Sequence, residues 1–306
     1  MQGTNDDAST GVVAIYRDAD GASSAMFCSG SLIGTNLVLT AAHCAADIVA
    51  DGTGTGAHCT DTPDRKADLT GPPAKPSRFT IVNVTDAYKT PGEWHHVSKV
   101  LLPGDGVTPV PNCGNDVAML VLSEPFDGVK PYVPRLDVPP AKGETFTATG
   151  YGNDQKEGTD GIRRTRSGLV VSQLGPTSRA MANDWIANEG PCGGDSGSPA
   201  LDAEGRIFGV MVRGQPTVCT NMIYNRVDVF ADWLRSGALE AAKAGSYPPP
   251  SWATPSTPDA GADATNPRPS TGSSGGCSGA GVPLSNEAAP ALLALVLALV
   301  VRRRVR

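Results

Sequence analysis

Three short segments hold side chains suited to attack a carbonyl carbon. Thr40-Ala41-Ala42-His43-Cys44 offers an imidazole directly after the apolar run Leu37 to Leu39. Asn115-Asp116-Val117-Ala118-Met119-Leu120 offers a carboxylate at the entry to another apolar run, and Gly193-Gly194-Asp195-Ser196-Gly197-Ser198-Pro199 offers a hydroxyl in a glycine-rich turn. A serine alcohol becomes nucleophilic when a base takes its proton, a carboxylate orients that base, and backbone N–H groups receive the oxyanion. Taken singly, His43 reads as well as a core imidazole, Asp116 as a strand-entry cap and Ser196 as a turn serine. The three segments together supply every part that acyl transfer requires.

In their chain order these segments resemble the TAAHC, NDxAL and GDSGxP signatures of the trypsin-like serine proteases. The resemblance covers residues 1 to about 243. It implies an all-β fold of two six-stranded antiparallel barrels with the active site in the cleft between them. His43 and Asp116 would lie on the first barrel and Ser196 on the second. The implied activity is that of a serine endopeptidase. Ser196 attacks, His43 shuttles the proton and Asp116 steadies the tautomer and the imidazolium, while the N–H groups of Gly194 and Ser196 form the oxyanion hole. No metal and no cofactor is called for. The competing class is a catalytically silent binding module on the same barrels.

The resemblance carries further assignments. Asp195 would receive the α-ammonium group of a mature N-terminus, whose counterpart here is Met1-Gln2-Gly3-Thr4, placed by its distance to Val12-Val13-Ala14. Trypsin has a carboxylate at the pocket base six residues before the nucleophile, and Gly190 stands there instead. The pocket wall reads Val212-Arg213-Gly214, and Met222 takes a position that is often glycine. Such a pocket favours small or medium apolar residues before the scissile bond. Val212 also removes a serine hydroxyl that often assists the catalytic aspartate. Cys28 with Cys44 resembles the family's bridge beside the catalytic histidine, and Cys192 with Cys219 the bridge bordering the pocket. Cys59 and Cys113 are left for each other, and Cys277 is odd. His58, His95 and His96 lack catalytic context and read as surface or packing residues.

The elements that must position these residues are short strands. Val12 to Tyr16, Ser31 to Thr40, Phe79 to Val84, Val117 to Leu122, Thr145 to Thr149, Leu169 to Gln173 and Ile207 to Val212 are β-rich runs between Gly, Pro, Asn and Asp clusters. The 36 glycines and 26 prolines of the 306 residues suit a loop-rich all-β chain. Asp51 to Pro76 reads as a long surface loop. Val227, Phe230, Trp233, Leu234 and Leu239 have near-helical spacing, with Asp228 near the helix start, so a C-terminal helix should pack on the last barrel. The organisation is thus a protease-like domain over 1–246, a Pro/Ser/Thr/Gly-rich linker over 247–276 and a terminal segment over 277–306.

The formal net charge is −6, with Arg302, Arg303, Arg304 and Arg306 in the last five residues, so the body is more acidic still. That excludes a general nucleic-acid binder and puts the basic charge at a membrane. Seven cysteines without a CxxC pair give little support to a zinc site and fit disulfides in an oxidising compartment. Met1 to Ser9 lacks the features of a signal peptide. A start at the mature terminus, with a non-AUG codon read as Met, would account for this. The run Ala288 to Val301 reaches only about 21 Å as a helix, short of a roughly 30 Å hydrocarbon core. Gly275-Gly276-Cys277-Ser278, a spacer, this run and the arginines resemble bacterial C-terminal sorting signals of the MYXO-CTERM type. That resemblance implies export with cell-surface or outer-envelope anchoring at Cys277, or secretion after tail processing. The expected partners are a protein or peptide substrate, an activating protease, a C-terminal sorting enzyme and the membrane.

Overall fold

The computed structural model describes residues 1, 3–18, 26–49, 59–60, 66–88, 94–105, 108–155, 158, 160–215 and 218–254. In chain order the strands are β1 (Thr4–Asn5), β2 (Val12–Arg17), β3 (Met26–Gly34), β4 (Leu37–Thr40), β5 (Ala46–Val49), β6 (Leu69–Pro73), β7 (Phe79–Val82), β8 (His95–Leu101), β9 (Val110–Pro111) and β10 (Ala118–Leu122). They continue as β11 (Thr145–Gly150), β12 (Arg164–Leu174), β13 (Asp184–Glu189), β14 (Pro199–Leu201), β15 (Ile207–Gln215) and β16 (Thr220–Arg226). Two helices accompany them, α1 (Ala42–Ala45) and α2 (Ala231–Gly245).

The strands close into two six-stranded antiparallel barrels. The first runs β10-β4-β3-β2-β7-β8 and closes through the β8–β10 pairing. The second runs β12-β11-β14-β15-β16-β13 and closes through β12–β13, with β1 added beside β12. A small sheet β5-β6-β9 shares no strand pairing with either barrel, but Ala46 of β5 is buried in the first barrel's core. Closure leaves few unpaired strand edges. The β-branched and apolar runs supply the interiors, so β4 and β10 are buried along their whole length. In the second barrel Trp185 stacks between Tyr224, at 4.2 Å, and Phe208, at 5.1 Å, with Phe146 edge-on. Arg163, buried beside the second barrel, ties the barrels together by donating from Nη1 to the Val12 carbonyl of β2 at 3.4 Å and to the Tyr151 hydroxyl at 2.9 Å.

Helix α2 buries Leu234, Gly237, Ala238, Ala241 and Ala242, the stripe that a 3.6-residue period puts on one face. That face lies on the first barrel. Gly237 meets Met119 of β10 so closely that an added Cβ would stand 2.2 Å from the methionine methyl. Trp233 Nε1 donates to the Leu102 carbonyl at 3.1 Å, and Asn36 Nδ2 to that of Ala241 at 3.3 Å. The helix expected on the last barrel therefore straps the first.

Several expectations need correction. Ser31 to Thr40 is not one strand, because Thr35 and Asn36 turn the chain between β3 and β4. The expected loop Asp51 to Pro76 includes β6, which pairs with β5 and β9 and buries Thr70 and Gly71. Asp228 lies in a 3₁₀ turn before α2 and accepts from Arg226 Nε at 3.0 Å rather than capping the helix. Tyr247 to Thr254, assigned to the linker, is packed: the Tyr247 hydroxyl donates to Asn36 Oδ1 at 2.6 Å, and Ala253 is buried. Cys277, the apolar run 288–301 and the terminal arginines lie outside the described residues. No helix among the described residues is long and apolar enough to cross a membrane.

Candidate active site

His43 sits on α1, the single helical turn that follows β4. Cys44 in that turn is bridged to Cys28 of β3, which fastens the histidine to the barrel wall. Asp116 immediately precedes the residues leading into β10, and β10 pairs with β4, so strand register carries the two residues together. The Asp116 carboxylate is 2.8 Å from His43 Nδ1 through Oδ2 and accepts the His43 backbone N–H at 2.8 Å through Oδ1. Two bonds to one residue fix ring position and orientation together. Asp116 is buried, while 22% of the His43 side chain remains exposed. Burial pushes the His43 pKa down, but the charge and hydrogen bond of Asp116 outweigh it and the net shift is upward.

Ser196 is half-buried in the turn between β13 and β14. Its carbonyl accepts the Ser29 N–H at 2.7 Å and lies 3.8 Å from Cys44 Sγ. That bridged sulfur has no hydrogen to donate, so the second approach is a contact. An added Cβ on Gly197 would come within 3.0 Å of the Ala41 nitrogen. The Ser196 turn thus abuts the segment that carries His43. Gly194 has φ +89°, a region that glycine enters freely, and so turns the chain just before Ser196.

Behind the turn, Asp195 is fully buried and completely bonded. Oδ1 accepts the Gly152 N–H at 2.7 Å, and Oδ2 accepts the Cys192 N–H at 2.8 Å and the amino group of residue 1 at 3.1 Å. That amino group also donates to the Gly152 carbonyl at 3.1 Å and to the Asn153 carbonyl. The Met1 side chain is buried with Phe146, Leu169 and Met222 in the second barrel.

The expected pocket residues lie around the Cys192–Cys219 bridge. Gly190 follows β13 and faces Leu169. Met222 is fully buried, and its sulfur would stand 2.5 Å from a Cβ on Gly214. Val212 is buried, and Arg213 reaches the buried carboxylate of Asp184. Burial pushes the Asp184 pKa up, offset in part by the Arg213 charge, the Met181 N–H and Asn225. Cys59 bridges Cys113, completing three disulfides among the described residues. His95 packs on Phe126 at 3.6 Å, His96 is exposed, and His58 is outside the described residues. Cys28, His43 and Cys44 lie close enough to suggest a metal cluster, but both sulfurs are consumed in a disulfide.

Sequence reasoning missed Ser29, whose hydroxyl joins two loops at the site, and Gly152, which holds both Asp195 and the amino group of residue 1. A usable signal existed for each: Ser29 directly follows the bridged Cys28, and Gly150-Tyr151-Gly152 is a small-aromatic-small run ending a strand.

The trypsin family profile matches residues 4–234, and the chain belongs to that family. It has a trypsin-like serine protease fold. A CLIP domain-containing serine protease, B10, of Anopheles gambiae is 28% identical over 242 residues, covering 68% of this chain. The chain spans about three-fifths of that relative's length, the matched share being 60%. The crystal structure of an inactivated protease paralogue of the scabies mite has a TM-score of 0.56 at 22% identity, covering 78% of this chain and 100% of that one.

Proposed function

We propose that the chain is a serine endopeptidase acting on protein or peptide substrates. The observation that carries this reading is the double hydrogen bond from His43 to the buried Asp116, beside the turn that bears Ser196. In this mechanism His43 takes the Ser196 proton, Ser196 attacks the scissile carbonyl, and the N–H groups of Gly194 and Ser196 hold the oxyanion. Protonated His43 then gives its proton to the leaving amine, and water repeats the sequence on the acyl-enzyme. The amino group of residue 1 neutralises Asp195 and keeps the oxyanion turn ordered. The buried Met222 against Gly214, with no carboxylate at Gly190, supports a preference for small or medium apolar side chains before the scissile bond. Three disulfides support work in an oxidising compartment, with anchoring through Cys277.

The test is labelling by a fluorophosphonate, with Ser196→Ala as control. Ser196-dependent labelling is the expected result, and its absence in folded, correctly matured protein would sink the peptidase reading. A silent binding module is the second reading, favoured by Met222 filling the space beneath Gly214 and by Val212 and Arg213 in the pocket wall.

A further inference from the structure

We infer that Ser29 is a positioning residue for the oxyanion hole, acting as a second clamp on the two loops that the amino group of residue 1 also joins. This rests on the peptidase reading above for its catalytic consequence, though not for the clamp itself. Ser29 is fully buried in β3 and uses every polar group it has. Its N–H donates to the Ser196 carbonyl at 2.7 Å. Its Oγ donates to the Gly194 carbonyl at 3.1 Å and accepts the Tyr151 N–H at 3.0 Å. Its carbonyl accepts the Thr40 hydroxyl at 2.8 Å, which fixes it to β4.

Two of these bonds hold the carbonyls at either end of the segment Gly194-Asp195-Ser196. With both ends tied, the peptide planes between them have little freedom to rotate, and the Ser196 N–H belongs to one of those planes. The contact is close: an added Cβ on Gly197 would lie 2.1 Å from the Ser29 carbonyl oxygen. The third bond holds Tyr151, whose neighbour Gly152 donates to Asp195 Oδ1 and accepts from the amino group of residue 1. Ser29 therefore bridges the 151–152 and 194–196 loops from the first barrel, while the amino group bridges Gly152 and Asp195 from within the second. Preorganised donors stabilise a developing charge because they need no reorientation when it appears.

The experiment compares wild type with Ser29→Ala, each with a free and with a blocked amino group at residue 1. On a peptide amide, Ser29→Ala should lower kcat about 10- to 100-fold with KM changed less than about twofold, between the loss of one hydrogen bond and of one oxyanion donor. A peptidyl aldehyde, which forms a tetrahedral adduct, should lose affinity in parallel with kcat. Blocking the amino group should enlarge the Ser29→Ala effect, since each clamp partly covers for the other. Amide hydrogen exchange supplies a readout independent of turnover: residues 192–198 should exchange faster in the variant while β4 and β10 keep their protection. Unchanged kcat and exchange, or equal loosening of both barrels with a lower Tm, would overturn the clamp. If wild type proves inactive, the peptidase reading fails and exchange at 192–198 alone decides this inference.

Discussion

Around His43, Asp116 and Asp195 each buried carboxylate has its partners in place, whereas in the second barrel, from Arg213 of the expected pocket wall inward, several buried polar atoms have none. Arg213 Nη1, Asn225 Oδ1, Tyr224 Oη, Trp185 Nε1 and Ser198 Oγ all lie within the second barrel without a hydrogen-bond partner. Burial pushes the Tyr224 hydroxyl well above its ordinary pKa, so it stays a neutral donor. An orphaned buried polar atom costs about 1–3 kcal/mol, and such groups are the ones substitution can most easily rearrange. The comparison teaches that at one corner every buried carboxylate is fully bonded, whereas at the other one ion pair, Arg213 with Asp184, stands among orphaned polar atoms and tight packing. Chemistry should therefore be intolerant of change at the first and adjustable at the second.

The sharpest way to break this contrast is at Ser196. Ser196→Ala should lower kcat/KM by about 10⁴-fold or more with the fold intact, and His43→Ala should do the same. Steady-state hydrolysis and near-ultraviolet circular dichroism of the same samples check it. A smaller loss would mean that the corner does not carry the reaction.

The next effect is at residue 1. An uncleavable N-terminal extension should cost about 10²- to 10³-fold in kcat, comparable to an oxyanion donor, because it leaves the buried Asp195 unpaired. Equal turnover of extended and free-terminus protein would separate Asp195 from the oxyanion turn.

At the pocket, Met222→Gly should raise kcat/KM for Leu or Phe before the scissile bond about 10- to 200-fold relative to Ala, by opening space against Gly214. A library of peptides with varied residues at that position reads the change. If wild type instead cleaves after Lys or Arg, the packed-wall side of the comparison is wrong.

The smallest effect is in pH. On the peptidase reading activity needs neutral His43, and Asp116 raises the imidazole above its ordinary 6.5, so the acid limb of kcat/KM should fall above that value. Asp116→Asn should move the limb to lower pH as well as lowering the plateau. A limb that stays in place would show that Asp116 acts only as a geometric support.

The barrels and the His43–Asp116 contact were readable because compact motifs sit at strand ends and apolar runs are long. β8, β13 and β16 were not, since His95-His96, Asp184 and Thr220-Asn221 obscure the alternation at their ends. Ser29 escaped because its role rests on partners 122 and 165 residues away, which no local pattern records. Arg213 reads from the sequence as a pocket-wall residue only, because its partner Asp184 lies in a strand that the sequence does not announce.

The strap made by α2 has a consequence for biosynthesis. Its bonds to the first barrel join residues 131, 205 and 211 positions apart. On a ribosome the strands of that barrel emerge long before Trp233 and Tyr247 do, so Met119 and Asn36 wait uncovered while the second half is made. Folding is then paced by chain completion, and contacts of such long range are slow to close. A nascent chain stalled before residue 231 should be captured by chaperones or cut by proteases in its amino-terminal half, and release of the last turn of α2 should confer resistance.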